Sequence, residues 1–167
     1  YSNTYRASVT TTALTLGETQ PMNPYWIAGA NTDAVAMQLR FSAGETSPVK
    51  ISALTIYETG GIDGMMDITQ MKLAVDMNNN GIYENGMDPI ISTSSFMFDN
   101  DSMTFAIMGD SLVIPANTTR RLLLLVNTNI GFMPGETVQF AIANTANDYF
   151  AFDYVTGHQI NDIAAMP

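Results

Sequence analysis

The amino-acid sequence predicts an all-β protein, with about 8–10 strands arranged as an antiparallel β-sandwich of the immunoglobulin-like or jelly-roll type. Three observations lead to this prediction. Short segments in which apolar and polar residues alternate recur along the 167 residues, as expected for strands with one buried face. Gly, Pro, Asn and Asp separate these segments and provide turn residues. The spacing of the apolar residues indicates no long helix.

Individual strands are predicted from the phase of the apolar residues. They alternate from Val35 to Phe41, and again over residues 49–56, where a change of phase after Ile51 predicts a β-bulge. Residues 122–126 are continuously apolar, which favours a central strand that is covered on both faces. Further strands are predicted at residues 90–91, 96–98, 103–107, 138–142 and 150–154.

The first and last alternating segments set the predicted domain boundaries. We expect one domain over residues 8–156, an N-terminal extension over residues 1–7 and a C-terminal tail over residues 157–167. The sequence starts with Tyr1 rather than Met. From this start we expect that a signal peptide has been removed, and that the protein is extracellular or lies at the cell surface.

The composition narrows the range of functions. Sixteen acidic residues against six basic residues give a net charge of −10, which disfavours nucleic acid as a partner because nothing offsets phosphate repulsion. No apolar run approaches the ~20 residues of a membrane span. Cysteine is absent, which excludes disulfides, thiolate metal sites and cysteine nucleophiles. Stability must therefore come from the core, from bound metal or from assembly.

One segment, residues 76–88, carries a pattern with a defined chemistry. Oxygen-bearing side chains occupy alternate positions from Asp76, and Gly81 then permits a sharp turn. This is the opening of a calcium loop of the D-x-[DN]-x-[DN]-G type, because Ca²⁺ takes roughly six to eight oxygen ligands. We therefore predict one Ca²⁺, bound by the side chains of Asp76, Asn78, Asn80, Glu84 and Asp88 and by the carbonyl of Ile82.

This loop departs from an EF-hand in two respects. Position 12 is Met87, so the closing carboxylate is Asp88, one residue later. The preceding residues alternate as a strand does, whereas an EF-hand has a helix there. Two Asn ligands in place of Asp predict weak affinity, with a Kd on the order of 10⁻⁴–10⁻³ M. The alternative is a polar hairpin without metal, since Asn-Asn-Asn-Gly is also favourable turn chemistry.

The order of segments around the loop resembles that of a β-sandwich module of bacterial and archaeal proteins. Such modules occur in secreted and cell-surface chains of the adhesin-like and surface-layer-like kinds. The resemblance spans roughly residues 8–156, and its most specific parts are the loop from Asp76 to Asp88 and the turn Ile114-Pro115-Ala116. It implies a sandwich and bound calcium. It implies no particular activity, because a fold does not specify a function.

The sequence argues against an enzyme. His158 is the only histidine and lies in the predicted tail, where a catalytic triad would have to be built around it. No serine lies in a Gly-x-Ser-x-Gly motif. Most aspartates lie near turns, where Asp is common. Asp63 and Asp67, just before the strand that leads to the loop, are candidates to complete the cation site or to form a second one.

Two further kinds of site remain open at this stage. Tyr25 and Trp26 are adjacent in a Pro-rich segment, and Trp26 either packs in the protein or forms an aromatic platform for glycans. Asn100 and Asn117 each begin an N-glycosylation sequon in a predicted turn. Glycans are therefore candidate partners in two senses, as ligands and as modifications.

The N-terminal segment suggests assembly. Residues 1–16 are β-prone and nearly uncharged, and residues 8–16 pair either in cis with their own sheet or in trans with a neighbouring subunit. We therefore expect an extracellular structural protein, stabilised by calcium, that assembles with itself into a filament or surface layer by donor-strand exchange. The alternative is an adhesin-type or carbohydrate-binding module of a larger secreted protein.

Overall fold

The computed structural model describes residues 14–19, 32–58, 67–97, 102–129, 140–142, 149–160 and 163–165. Within them it has twelve strands: β1 (Leu14–Thr19), β2 (Ala34–Ala43), β3 (Val49–Glu58), β4 (Ile68–Asp76), β5 (Ile90–Ser94), β6 (Ser102–Ala106), β7 (Val113–Ile114), β8 (Thr119–Thr128), β9 (Phe140–Ala141), β10 (Tyr149–Asp153), β11 (Gln159–Ile160) and β12 (Ile163–Ala165). This exceeds the predicted number because four of them have only two or three residues and so show no readable period.

The strands form two sheets, which confirms the predicted β-sandwich. The first sheet has the order β12-β1-β2-β8-β4-β5 and is antiparallel except for the parallel pair of β1 and β12. The second sheet has the order β11-β10-β3-β6, and β7 and β9 pair with other parts of β3. β3 therefore pairs with four strands of the second sheet, and β8 is a central strand of the first.

The strand β8 is buried on both faces, as its continuous apolar sequence predicts. Leu122, Leu124 and Val126 belong to the main core, whereas Leu123 and Leu125 belong to a second, smaller cluster on the other face. All five side chains are fully buried. The second cluster is completed by Ala74, with Val35 and Tyr83 packed against it.

The main core lies between the two sheets. Alternate residues of each long strand point into it, so the period of two that is visible in the sequence becomes the inner face of each sheet. Its largest fully buried members are Phe41, Phe105, Leu39, Ile51, Leu54, Ile56, Met71, Leu73, Leu112, Ile114 and Leu122. Phe140 of β9 also stacks on Phe96, which follows β5, with ring centroids 6.4 Å apart.

Register shifts in β2 and β3 set which of their residues face inward. In β3 the register against β10 shifts between Ile51 and Ala53, which confirms the predicted bulge, and the extra residue Ser52 donates its hydroxyl to the carbonyl of Phe150 at 3.2 Å. In β2 a bulge between Val35 and Met37 interrupts the alternation predicted from Val35 to Phe41. The prediction for Val35 is therefore wrong, because the inserted residue moves it to the outer face.

Both chain ends contribute strands to the sandwich. The residues after Thr156, assigned from the sequence to a tail, contain β11 and β12, which pair with β10 and β1. Residues 14–16 lie in β1, which pairs with β2 of the same chain, so this part of the N-terminal segment pairs in cis. Residues 1–13, which include the predicted extension over residues 1–7, lie outside the described residues.

The position of Leu124 generates a stability prediction. Leu124 is fully buried between the sheets, and we expect Leu124→Ala to lower the free energy of unfolding by about 2–5 kcal/mol, because it removes apolar contacts and leaves a cavity. Urea unfolding measures this loss. Met108→Ala is the control, since Met108 is 75% exposed and its truncation should change stability by less than about 0.5 kcal/mol. A loss below about 1 kcal/mol for Leu124→Ala would place β8 outside the core.

Candidate functional site

The candidate site is the connection between β4 and β5, residues 77–89, together with the last residue of β4. That residue, Asp76, is fully buried, and it lies directly opposite Arg121 in the register of β4 with β8. The hairpin closes where the N–H of Val75 donates to the carbonyl of Pro89 at 3.0 Å. The pattern read from the sequence thus forms a compact loop whose first ligand candidate is anchored in the sheet.

The first half of the loop is folded by its own side-chain oxygens. The Asp76 carboxylate accepts the N–H of Asn80 at 3.2 Å and that of Gly81 at 2.8 Å. Asn78 Oδ1 accepts the same Asn80 N–H at 3.2 Å, so oxygens from positions 76 and 78 converge on one donor. Asn80 Oδ1 in turn accepts the N–H of Ile82 at 2.7 Å. Backbone donors that have no strand partner are satisfied in this way.

Glu84 accepts hydrogen bonds from two asparagine side chains, those of Asn78 and Asn80. Its Oε2 accepts the amide Nδ2 of Asn78 at 2.5 Å and that of Asn80 at 3.2 Å. Three predicted ligands therefore meet around one carboxylate oxygen. Rotation of an amide by half a turn about its last side-chain bond exchanges the positions of its oxygen and its nitrogen. With both amides rotated, Asn78, Asn80 and Glu84 would present three oxygens as ligands to one point.

Asp88 joins the two ends of the loop. Its Oδ1 accepts the N–H of Met77 at 2.9 Å, and its Oδ2 accepts the N–H of Glu84 at 2.8 Å. The backbone N–H of Asp88 donates to the Glu84 carbonyl at 2.9 Å. The side chain is only 3% exposed, so a carboxylate shielded from water is stabilised by charge-assisted hydrogen bonds. Asp88, one residue after position 12 of an EF-hand loop, therefore links the beginning of this loop to its second half.

Two features favour glycine at position 81. Its φ of 78° lies in the left-handed region that disfavours side chains. A Cβ there would also stand 2.7 Å from Nε2 of Gln38, which donates to the Gly81 carbonyl at 3.1 Å. Gly86 has a φ of 89° but open space around it. The contact with Gln38 fixes the turn of the loop to β2.

Arg121 ties the loop to the central strand. Its guanidinium lies 3.7 Å from Asp76 Oδ2 and donates to the Asn79 carbonyl at 2.9 Å. It is the one cation in the described part of the chain that forms an ion pair with a loop carboxylate. Since water does not reach Asp76, this positive charge offsets part of the cost of burying a carboxylate.

The structure brings together most of the predicted ligands but not the additional acids. The side chains of Asp76, Asn78, Asn80 and Glu84 form one connected hydrogen-bonded group. Asp67 lies at the opposite end of β4, roughly 30 Å away along the extended strand, so it does not complete this site. Asp63 lies outside the described residues. Among the residues that are described, no three His, Cys, Asp or Glu side chains are grouped as metal ligands would be.

The residues that sequence reasoning missed are Arg121 and Gln38, with Tyr83 as a packing partner. Gln38 and Arg121 lie in the first sheet and contact the loop, whereas Tyr83 lies in the loop and packs it onto that sheet. The pairing that places Arg121 opposite Asp76 depends on the register of two strands far apart in sequence. A signal was present only for Tyr83, an aromatic residue inside an otherwise polar loop.

The other candidate residues lie elsewhere. His158 is exposed, next to a turn. Asn117 is exposed in a turn with φ 56°, whereas Asn100 and the Tyr25–Trp26 pair lie outside the described residues. No helix in the described part of the chain has the length and apolar character needed to cross a membrane.

A surface cluster away from the loop joins Lys50, Asp110 and Tyr154. Lys50 Nζ lies 3.0 Å from Asp110 Oδ1, and the Tyr154 hydroxyl donates to Asp110 Oδ2 at 3.0 Å. The bond from Lys50, followed by that from Tyr154, lowers the pKa of Asp110, and the bond to Asp110 raises the pKa of Tyr154. A lowered carboxyl pKa stabilises the fold above the ordinary value of 3.8, and this is lost in acid. Because the groups are exposed, the contribution is small.

No protein-family model matches this chain, and no curated protein is significantly similar to it.

The two loop glycines generate a paired prediction. Both need a positive φ, so Gly81→Ala and Gly86→Ala should each cost about 1–2 kcal/mol of unfolding free energy from the backbone alone. Gly81→Ala must also displace the Gln38 amide and break its hydrogen bond to the Gly81 carbonyl, so it should cost more than Gly86→Ala. Urea unfolding in a chelator measures both variants without any contribution from metal. Equal costs would show that the contact between Gln38 and Gly81 does not constrain the loop.

Proposed function

We propose that this protein is an extracellular structural protein in which the loop of residues 76–88 binds one Ca²⁺ and thereby stabilises the β-sandwich. The observation that carries the proposal is the convergence of Asn78, Asn80 and Glu84 beside the anchored carboxylate of Asp76. In this arrangement the amide nitrogens of Asn78 and Asn80 donate to Glu84 Oε2, and rotation of both amides would present their oxygens at the same place. A hard cation requires that arrangement.

The donor set fits Ca²⁺ better than other biological metals. It combines carboxylate, amide and carbonyl oxygens, which suit calcium, and it has no thiolate or imidazole, which suit zinc or copper. Asp76 and Asp88 retain further lone pairs beside the N–H groups that they accept. Asp76, Asn78, Asn80, Glu84 and Asp88, with the Ile82 carbonyl, would hold the ion. When bound, it supplies two positive charges to a chain of net charge −10.

The expected affinity suits an extracellular setting. Two neutral amides replace carboxylates, and Arg121 already compensates part of the charge on Asp76. Both features weaken binding, which supports a Kd on the order of 10⁻⁴–10⁻³ M, as in extracellular modules. The absence of cysteine leaves the fold without disulfides, so an ion that binds only the folded state is an alternative source of stability.

We further propose that the protein assembles with copies of itself into a filament or surface layer. Support comes from the edge of the first sheet. β12 pairs only with residues 14–16 of β1, so in the described part of the chain residues 17–19 lack a partner on that side. An exposed strand edge is a template for pairing with another chain. The β-prone residues 1–13 precede this edge and are the proposed donor segment.

A second candidate function, a carbohydrate-binding or adhesin-type module, is favoured by exposed aromatic residues. Phe150 and Tyr154 are 43% and 46% exposed near one edge of the second sheet, and exposed rings are the usual stacking partners of sugars. Tyr154 is oriented by its bond to Asp110. This candidate predicts separate particles and binding to glycans, and it is an outcome of the assembly experiment below.

The calcium proposal predicts uptake and stabilisation. Protein freed of metal by a chelator should take up one Ca²⁺ per chain in titration calorimetry, and its melting temperature should rise. At a hundredfold excess over Kd the gain in unfolding free energy should be about 2.7 kcal/mol, because the ion binds only the folded state. Glu84→Gln should weaken binding, whereas Asp110→Asn, which removes an acid outside the loop, should not. No heat and no thermal shift would sink the proposal.

The assembly proposal predicts the effect of a short deletion. Removal of residues 1–13 keeps β1, so the truncated chain should fold with an unchanged melting temperature but form no regular fibres in negative-stain images. A synthetic peptide of residues 1–13 should bind the truncated chain. Persistent fibres after the deletion would show that another surface assembles. Separate particles from the full chain, with affinity for a glycan array, would support the carbohydrate-binding module instead.

A further inference from the structure

We infer that Asn85 is a site of spontaneous deamidation and that Asn80, in the same loop, is protected from this reaction. Each of these two asparagines is followed by a glycine, Gly86 and Gly81 respectively. In an Asn-Gly pair the backbone nitrogen of Gly can attack the side-chain carbon of Asn, since Gly has no Cβ to hinder the approach. The inference does not depend on calcium binding or on assembly.

The chemistry needs only water. The backbone nitrogen of Gly86 loses its proton and forms a bond to Cγ of Asn85, while the bond from Cγ to Nδ2 breaks and ammonia leaves. The product is a five-membered cyclic imide. Water then opens the imide at one of its two carbonyls and gives either aspartate or isoaspartate. No group is oxidised or reduced.

Asn80 is protected because hydrogen bonds restrain both the attacking N–H of Gly81 and the side-chain amide of Asn80. The Gly81 N–H, which must attack, donates to the Asp76 carboxylate at 2.8 Å. The Asn80 amide is anchored at both ends, by the Ile82 N–H to Oδ1 at 2.7 Å and by Nδ2 to Glu84 at 3.2 Å. Ring closure at Asn80 must therefore break a charge-assisted hydrogen bond and turn an amide away from two partners.

Asn85 has none of these restraints. It is exposed, and within the described part of the chain neither its side chain nor the N–H of Gly86 takes part in a hydrogen bond. The space beside Gly86 is open, since a Cβ there would meet nothing within 4 Å. Deamidation adds one negative charge beside Glu84. The isoaspartate product also lengthens the backbone in the turn that Asp88 closes.

Peptide mapping by mass spectrometry tests the inference on the folded, full-length chain kept in mildly alkaline buffer with chelator. The rate at each asparagine is followed from the mass change that replaces an amide by an acid, and electron-transfer fragmentation distinguishes aspartate from isoaspartate. We expect Asn85 to react about tenfold or more faster than Asn80, because only Asn80 must give up a hydrogen bond to a charged group. In urea the two rates should become similar.

The controls separate the loop geometry from intrinsic reactivity. Asn85→Gln should abolish the fast reaction and leave the slow rate at Asn80 unchanged, and the unfolded chain gives the reference rate for each site. Similar rates at the two sites in the folded chain would overturn the inference. A faster reaction at Asn80, or no reaction at Asn85 in the folded chain, would overturn it as well.

Discussion

The burial of β8 on both faces is the constraint on which the rest of the structure depends. This strand pairs with β2 on one side and β4 on the other, so its backbone N–H and C=O groups have partners along both edges. Fully burying one leucine is worth about 1.5–3 kcal/mol, and four consecutive leucines therefore require apolar material on both faces. The second sheet covers one face. Tyr83 and Val35 pack against part of the other.

The loop is joined to the sheet because it helps to cover this outer face. Tyr83 packs on the small cluster of Leu123 and Leu125, while Gln38 and Arg121 hold the loop backbone from β2 and β8. Its geometry is therefore set partly by apolar burial and partly by hydrogen bonds to strands. An ion bound there would stabilise a segment already packed on the central strands, so that local binding contributes to global stability.

The excess of acidic residues is a second constraint on the structure. The chain has ten more acidic than basic residues, so its compact state is destabilised by self-repulsion. Two of the buried carboxylates, Asp76 and Asp88, are turned onto backbone N–H groups of the loop. These bonds reduce the cost of burial without neutralising the charge. The same oxygens would be available to a bound cation, which is the basis of the calcium proposal.

The sequence by itself determined the all-β class, the central strand, the bulge after Ile51 and the loop that begins at Asp76, because each of these depends on neighbouring residues. It also identified residues whose side chains meet in the loop, since oxygen-bearing side chains at alternate positions belong to one short segment. Only the tertiary structure decided that Val35 faces outward, that strands form after Thr156 and that Arg121 stands opposite Asp76. These features depend on the register between strands distant in sequence, and a shift of one residue reverses the face of every side chain.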